Sequence, residues 1–137
     1  MADNKKYYYL KLKENFYDTP EISYLEHLED GYKYSNIILK MYLRSLRQEG
    51  KLMVRGAVPY TPEALAGLTG HDVDTIKKAL ALFEELELVT VIDSGAIFMN
   101  DIQNFIGESS TEADRKRAYR ERIRQEREAG AAGGGHE

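Results

Sequence analysis

The sequence predicts a mainly helical α+β fold, and three features between residues 61 and 99 support this prediction. A short helix begins after Thr61, whose hydroxyl suits an N-cap and is followed by proline. A second helix follows Asp72, with apolar residues three and four positions apart: Val73, Ile76, Leu80 and Phe83. Two strand-like runs then flank a turn at residues 93–95. Helix, turn, helix and hairpin in this order predict a winged helix-turn-helix.

Four elements are predicted before this motif. Alternating apolar and polar side chains predict a strand over residues 6–13. Apolar residues three positions apart predict a helix over residues 20–29. A run that is apolar on most sides predicts a central helix over residues 34–48, which Gly50 ends. The short apolar run at residues 52–54 is expected to join the hairpin as a third strand.

The hairpin itself is predicted from residue types. Residues 88–92 are mostly β-branched, and residues 96–99 form the returning strand. The turn between them contains Asp93 and no basic residue, whereas wings that follow the minor groove generally carry Arg or Lys. We therefore expect this wing to complete the core and to contribute little to DNA contact.

The C-terminal residues differ from the rest in charge. Residues 1–110 contain 12 Lys and Arg and 17 Asp and Glu, whereas residues 115–127 contain 7 basic and 2 acidic residues. Few side chains there are apolar, so we expect a helix that projects from the domain or frays. The predicted parts are a winged-helix domain over 1–107, a charged, basic helical extension over 108–129 and a disordered Gly/Ala-rich tail over 130–137.

Composition restricts the class of protein. The 137 residues suffice for one domain with its own core, and 42% apolar with 31% charged residues is typical of a globular protein. The absence of cysteine excludes disulfides and thiolate metal sites, which fits a cytoplasmic location. No apolar run approaches the roughly 20 residues needed to cross a bilayer, so no membrane partner is expected.

The exposed side of the second motif helix is the first candidate DNA-binding surface. Thr75, Lys77 and Lys78 lie on that side, and the N-terminal part of such a helix comes nearest to the bases. The alternative is an ordinary solvated surface, because Asp72 and Asp74 lie at the start of the same helix.

The basic extension is the second candidate DNA-binding surface. Neutralising about four phosphates would give a log–log salt slope near −3.6. The alternative is a solvated helix with internal ion pairs. Double- and single-stranded DNA both remain possible ligands. The candidate cations are Arg115, Lys116, Arg117, Arg120, Arg122, Arg124 and Arg127.

Tyrosines crowd the N-terminal third, beginning with Tyr7, Tyr8 and Tyr9. Tyrosine rings stack on single-stranded bases, and they also build interfaces between identical subunits. We expect the second use, with residues 6–13 pairing as strands in a homo-oligomer.

Known catalytic motifs are absent from the sequence. It has no phosphate-cradling Gly-Lys-Ser/Thr loop, no His-Glu-x-x-His zinc helix and no Gly-x-Ser-x-Gly elbow. The histidines are His27, His71 and His136, which are not at metal-ligand spacing. We therefore expect a protein that is not an enzyme and needs no metal or cofactor.

Two stretches resemble the N-terminal domain of phage replisome organisers. They are YYLKLKENF at residues 8–16 and LKMYLRSLRQEGKL at residues 39–52. The resemblance continues through DVD at 72–74 and LELV at 86–89, and it ends in RKRAYRER at 115–122. These organisers are related in role to the DnaD-type primosomal initiators of Gram-positive bacteria.

This resemblance implies a winged helix that binds DNA at a replication origin and helps recruit host replication proteins, such as a helicase loader. Such organisers usually continue into a C-terminal domain that handles single-stranded DNA or the loader, and the sequence ends before one. The residues also permit two other functions. One is a transcriptional regulator, and the other is a protein-interaction adaptor of the replisome that binds no DNA.

Overall fold

The computed structural model describes residues 8–54, 58–106 and 112–134. The class is α+β and mainly α, as predicted. Single 3-10 turns occur at Phe16–Asp18 and Leu46–Gln48. The other elements in these residues are α1 (Pro20–Glu26), α2 (Gly31–Ser45), β1 (Lys51–Val54), β2 (Val58–Pro59), α3 (Pro62–Thr69), α4 (Val73–Glu85), β3 (Val89–Val91), β4 (Ile97–Met99), α5 (Gln103–Ile106) and α6 (Glu112–Gly134).

The four strands form one antiparallel sheet in the order β2-β1-β4-β3. In the hairpin, Thr90 is paired with Phe98, and on the other side of β4, Leu52 is paired with Ile97. The predicted third strand is thus confirmed as β1. Sequence analysis missed β2, a two-residue edge strand containing Pro59.

The core lies between α2, α3, α4 and the sheet. Helix α2 contributes the largest set of buried side chains, and α4 adds Ile76, Ala79 and Phe83, all with no exposed surface. These three are spaced by three and four residues, the spacing of one helix face. Only part of the predicted α4 stripe is fully buried, because Val73 and Leu80 lie at its margin.

The predicted helix starts of the central motif are confirmed. The Thr61 hydroxyl accepts a 3.1 Å hydrogen bond from the Ala64 N–H, and the Asp72 carboxylate accepts a 2.7 Å bond from the Thr75 N–H. Gly70 ends α3 with a φ of 82°, which a residue with a side chain rarely adopts. Helix, turn, helix and hairpin therefore follow each other as expected.

Both faces of strand β4 are covered. Its three residues are at most 2% exposed, although neighbouring side chains of a strand point to opposite faces. Ile97 and Met99 point into the core, and the ring of Phe98 packs against Tyr119 of α6 with centroids 6.1 Å apart. Helix α6 therefore forms a second layer on the sheet.

The prediction that the C-terminal helix projects from the domain is wrong, because α6 packs on the sheet. Tyr119 and Ile123 are only 4% and 8% exposed, because the sheet offers a matching apolar surface. The helix also continues to Gly134, beyond residue 129, where we expected a disordered tail to begin. The predicted domain boundary at 107/108 and residues 135–137 lie outside the described residues.

The predicted strand at residues 6–13 is also wrong within its described part. Residues 8–13 belong to no helix or sheet, and the Lys11 N–H donates to the Phe105 carbonyl at 2.8 Å. Leu10 packs on the core, whereas Tyr8 and Leu12 of the same predicted face are 43% and 45% exposed. The two N-terminal helices differ from expectation only at their ends, since α1 stops at Glu26 and α2 begins at Gly31.

Candidate nucleic-acid interface

The buried side of α4 determines which residues it presents to solvent. Because Ile76, Ala79 and Phe83 face the core, Lys77 and Lys78 are exposed. Thr75 is half-buried in the first turn. The two lysines predicted to bind DNA are therefore accessible, and Thr75 is less so.

The N-terminal end of α4 is negatively charged. The hydrogen bond from the Thr75 N–H lowers the pKa of Asp72, which keeps this exposed carboxylate ionised at neutral pH. Asp74, two residues further on, is also exposed. A carboxylate at this end interacts favourably with the helix dipole, but it repels phosphates. The cationic part of the exposed face therefore begins at Lys77.

His71 adds no charge to this end of the helix at neutral pH. Its Nε2 lies 2.9 Å from Oδ1 of Asn36. Partial burial lowers the pKa of His71, and the positive charges of Lys40 and Lys33 lower it further. The imidazole is thus neutral near pH 7, and it joins the turn before α4 to helix α2.

The wing presents a short polar turn. Asp93 and Ser94 are exposed, and Gly95 has a φ of 93°. A Cβ at Gly95 would lie 2.9 Å from the Pro59 ring, so the turn packs closely against β2. In the described hairpin residues 89–99 the structure shows no basic side chain, as the sequence requires.

A tyrosine hydroxyl joins α6 to the sheet. The Tyr119 hydroxyl donates to the Gly50 carbonyl at 3.1 Å, and the same carbonyl accepts the Met99 N–H at 2.8 Å. Burial raises the pKa of Tyr119, so the hydroxyl keeps its proton and remains a donor. Gly50 has a φ of 103°, and a Cβ there would collide with the Tyr119 hydroxyl and with Cγ2 of Ile102. Glycine is therefore required where β1, β4 and α6 meet.

Charged side chains complete the docking of α6. Lys51 Nζ lies 2.7 Å from Oε1 of Glu126, and both side chains are largely shielded from solvent. The Arg122 guanidinium lies over the Phe98 ring, 5.6 Å from its centroid, and donates to the Glu49 carbonyl at 3.4 Å. The roles of Gly50 and Lys51 in docking α6 were not recognised from the sequence, because nothing local indicates that they meet residues about 70 positions away.

The predicted cations of α6 consequently divide into three groups. Arg115 and Arg122 contact the body through the carbonyls of Gln103 and Glu49. Two others are exposed and paired along the helix, where Arg117 bonds Asp114 and Arg124 bonds Glu121 and Glu128. The third group lines a groove beside β3, and its members are Lys116, Arg120 and Arg127.

That groove measures about 630 Å³ and has a mixed lining. The carboxylates of Glu84, Glu87 and Asp101 line the same groove as the cations. Burial raises the pKa of Asp101, Glu21 raises it further, and Lys116 opposes the shift. The centre of the groove is therefore close to electrically neutral.

The groove connects the two candidate surfaces. Glu84 lies seven residues after Lys77, which places both on one face of α4 about 10 Å apart. Because Glu84 also lines the groove with Arg120, the exposed face of α4 leads towards the cationic side of α6.

The N-terminal tyrosines are only partly described. Tyr7 lies outside the described residues. Tyr8 is 43% exposed, with the Arg47 guanidinium 5.1 Å from its ring centroid, and Tyr9 is 72% exposed. Their accessibility leaves self-association as a prediction.

The described residues contain no candidate for a metal site or for a membrane-spanning helix. No group of three or more potential ligand side chains could hold a metal ion there. Likewise, none of the described helices combines the length and apolarity required to cross a membrane.

Comparison with protein-family models identifies the family of the chain. A family model described as the N-terminal phage replisome organiser matches residues 9–128. No curated protein and no solved structure matches the chain. The matched range contains both α4 and the cationic part of α6.

Proposed function

Because the chain belongs to the family of N-terminal phage replisome organiser domains, we propose that it is a non-catalytic DNA-binding module acting in replication initiation. In this proposal α3, α4 and the β3–β4 hairpin work as a winged helix on origin DNA. The module also helps to assemble host replication proteins, such as a helicase loader, and associates with itself.

The observation that carries this proposal is the proximity of two cationic surfaces, one on α4 and one on α6. Lys77 and Lys78 are exposed on α4, and the same face leads to the groove that Arg120 and Arg127 line. A duplex lying along this side would meet α4 and α6 together. Lysine and arginine side chains supply the phosphate contacts from which most DNA affinity arises.

The ion pairs along α6 leave its cations available. Arg117, its partner Asp114 and Arg124 are all more than half exposed. Exposed pairs of this kind contribute roughly 0.2–1 kcal/mol, so exchanging a carboxylate for a phosphate costs little. We therefore count both arginines among the phosphate-binding residues.

The carboxylates that line the groove are not part of the proposed DNA contact. Glu84, Glu87 and Asp101 would repel phosphates there. Phosphate contacts are accordingly expected at Lys77 and Lys78 on one side and at the exposed α6 cations on the other, which are Arg117, Arg120, Arg124 and Arg127.

The proposal is tested by fluorescence anisotropy of labelled double- and single-stranded oligonucleotides with the full chain over a salt series. On duplex DNA each phosphate contact adds about −0.9 to the log–log slope, so each charge-reversed pair should remove roughly 1.8 from its magnitude. The two pairs are Lys77→Glu with Lys78→Glu and Arg120→Glu with Arg127→Glu. Truncation after residue 107 is unsuitable, because it would uncover Phe98.

The matched control is Arg44→Glu with Arg47→Glu. It changes the net charge equally, but it alters a groove that shares no lining residue with the α4–α6 side. If the control lowers DNA affinity as much as the other two pairs, only net charge matters and the proposed interface is wrong.

The same titrations separate the alternative functions. Strong discrimination between duplex sequences that is lost with Lys77 and Lys78 would indicate a transcriptional regulator. Absence of binding to either form of DNA at low salt would indicate an adaptor that contacts replisome proteins only.

A further inference from the structure

A second groove lies on the side of the molecule formed by α2 and the end of α3. It is open, measures about 480 Å³ and combines apolar with basic side chains. We call it the α2 groove, and its principal residues are Tyr8, Lys40, Leu43, Arg44, Arg47 and Leu68.

The α2 groove has an apolar part. Leu43 is 53% exposed in the middle of the cationic stretch, whereas Ile37 and Met41 of the same helix have no exposed surface. Tyr8 is 43% exposed, and Leu68 is half-buried on the other wall. Apolar side chains grouped on a surface and rimmed by polar ones are typical of protein interaction sites.

The charged part has one sign. Lys40, Arg44 and Arg47 follow each other at spacings of four and three, so they form one stripe about 10 Å long. No carboxylate lines this groove, and none of the three has an ion-pair partner within the described parts of the chain. Lys40 Nζ bonds the Thr69 carbonyl at 2.7 Å, which holds the stripe beside α3.

We propose that the α2 groove docks an acidic amphipathic helix of a partner protein. Carboxylates one turn apart on that helix would pair with Lys40, Arg44 and Arg47, and an apolar side chain between them would cover Leu43. The docking inference rests on the proposed role in assembling replication proteins and specifies the chemistry of one such partner. It does not depend on DNA binding.

The exposed leucine favours this occupant over a nucleic acid. A phosphate backbone uses the cations and gains nothing from Leu43, whereas an apolar anchor buries it. Charge also favours an acidic partner over an uncharged apolar one, because an uncharged surface would desolvate three cations without supplying carboxylates to pair with them.

The test measures binding of a labelled helix-forming peptide of about 20 residues, with leucines along one stripe and glutamates on both sides of it. A matched peptide carries glutamine in place of glutamate. We expect Leu43→Ser to weaken binding about tenfold and Arg44→Glu with Arg47→Glu to weaken it more. Lys77→Glu with Lys78→Glu serves as the control and should leave peptide affinity unchanged. Circular dichroism verifies that each variant folds.

Three results would overturn the inference. The first is equal affinity for the glutamate and glutamine peptides. The second is displacement of the peptide by an oligonucleotide whose own binding is lost in the Arg44/Arg47 variant, which would make the groove a DNA site. The third is a dimer that Leu43→Ser dissociates in sedimentation equilibrium, which would make a second copy the occupant. Failure of DNA binding alone affects the proposed function and leaves this result intact.

Discussion

Helices α4 and α6 both carry many charges on the surface of the same domain, yet they are held in different ways. Helix α4 presents three side chains with no exposed surface to the core. Helix α6 has two anchors, Tyr119 and Ile123, and depends on a hydroxyl bond to Gly50 and an ion pair with Lys51. Apolar periodicity fixes one helix, and a few distant polar contacts fix the other.

This difference has a consequence for dynamics. Segments with few buried apolar contacts open more readily than those in the core. We therefore expect α6 to detach from the sheet before α4 leaves the core, so that the cations of α6 are presented on a separable layer.

The largest effect is expected for Phe83→Ala. Removing this fully buried ring should lower the free energy of unfolding by about 3–5 kcal/mol, measured by urea denaturation. Leu43→Ala is the control, because Leu43 is exposed and the change should stay within about 0.5 kcal/mol. Similar losses in both variants would contradict the assigned core face of α4.

The next effect is expected for Gly50→Ala, which tests the close approach of α6. The left-handed backbone costs about 1–2 kcal/mol, and the new Cβ would press on Ile102 at 2.6 Å and on Tyr119. Gly70→Ala has the strained backbone with nothing within 4 Å. Gly50→Ala should therefore be the more destabilising in thermal unfolding, by about 1 kcal/mol or more. Equal losses would mean that α6 does not pack there.

A smaller effect is expected for Tyr119→Phe. Loss of the hydroxyl bond to Gly50 should cost about 1 kcal/mol and accelerate hydrogen exchange of α6 amides. Exchange of α4 amides should change little. Tyr9→Phe, at an exposed ring, should alter neither helix. A uniform acceleration through both helices would show that they open as one unit.

The smallest effect concerns the ion pairs, measured in double-mutant cycles of Lys51→Gln with Glu126→Gln. The two side chains are 17% and 32% exposed, so their coupling should reach about 0.5–1 kcal/mol and resist added salt. Arg117 and Asp114, at 71% and 60%, should give roughly 0.3 kcal/mol or less. The reverse order would contradict the role of Lys51 in docking.

Several elements were predictable because their signals are local. The caps at Thr61 and Asp72, the burial of Ile76 and Phe83 and the turn at Gly95 all depend on residues within one or two turns. The exposure of Lys77 and Lys78 followed from the same stripe. The stripe of Lys40, Arg44 and Arg47 is present in the sequence at helical spacing, but this spacing does not show that Tyr8 and Leu68 lie beside it.

Other features were not predictable from such signals. Tyr119 and Ile123, two apolar residues in a charged helix, do not indicate that this helix packs on a sheet. Alternation around Leu10 does not indicate whether a partner strand exists. The position of α6 on the sheet determines which of its cations contact the body, which form ion pairs along the helix and which line the groove.

The mainly helical class, the central helix–turn–helix–hairpin and the family follow from the amino-acid sequence, because capping, periodicity and motif residues act over short stretches of chain. The position of α6 on the sheet, and hence which of its cations face solvent, is visible only in the folded domain. That position depends on Gly50 and Lys51 meeting residues about 70 positions later, and such meetings are set by the packing of the whole domain.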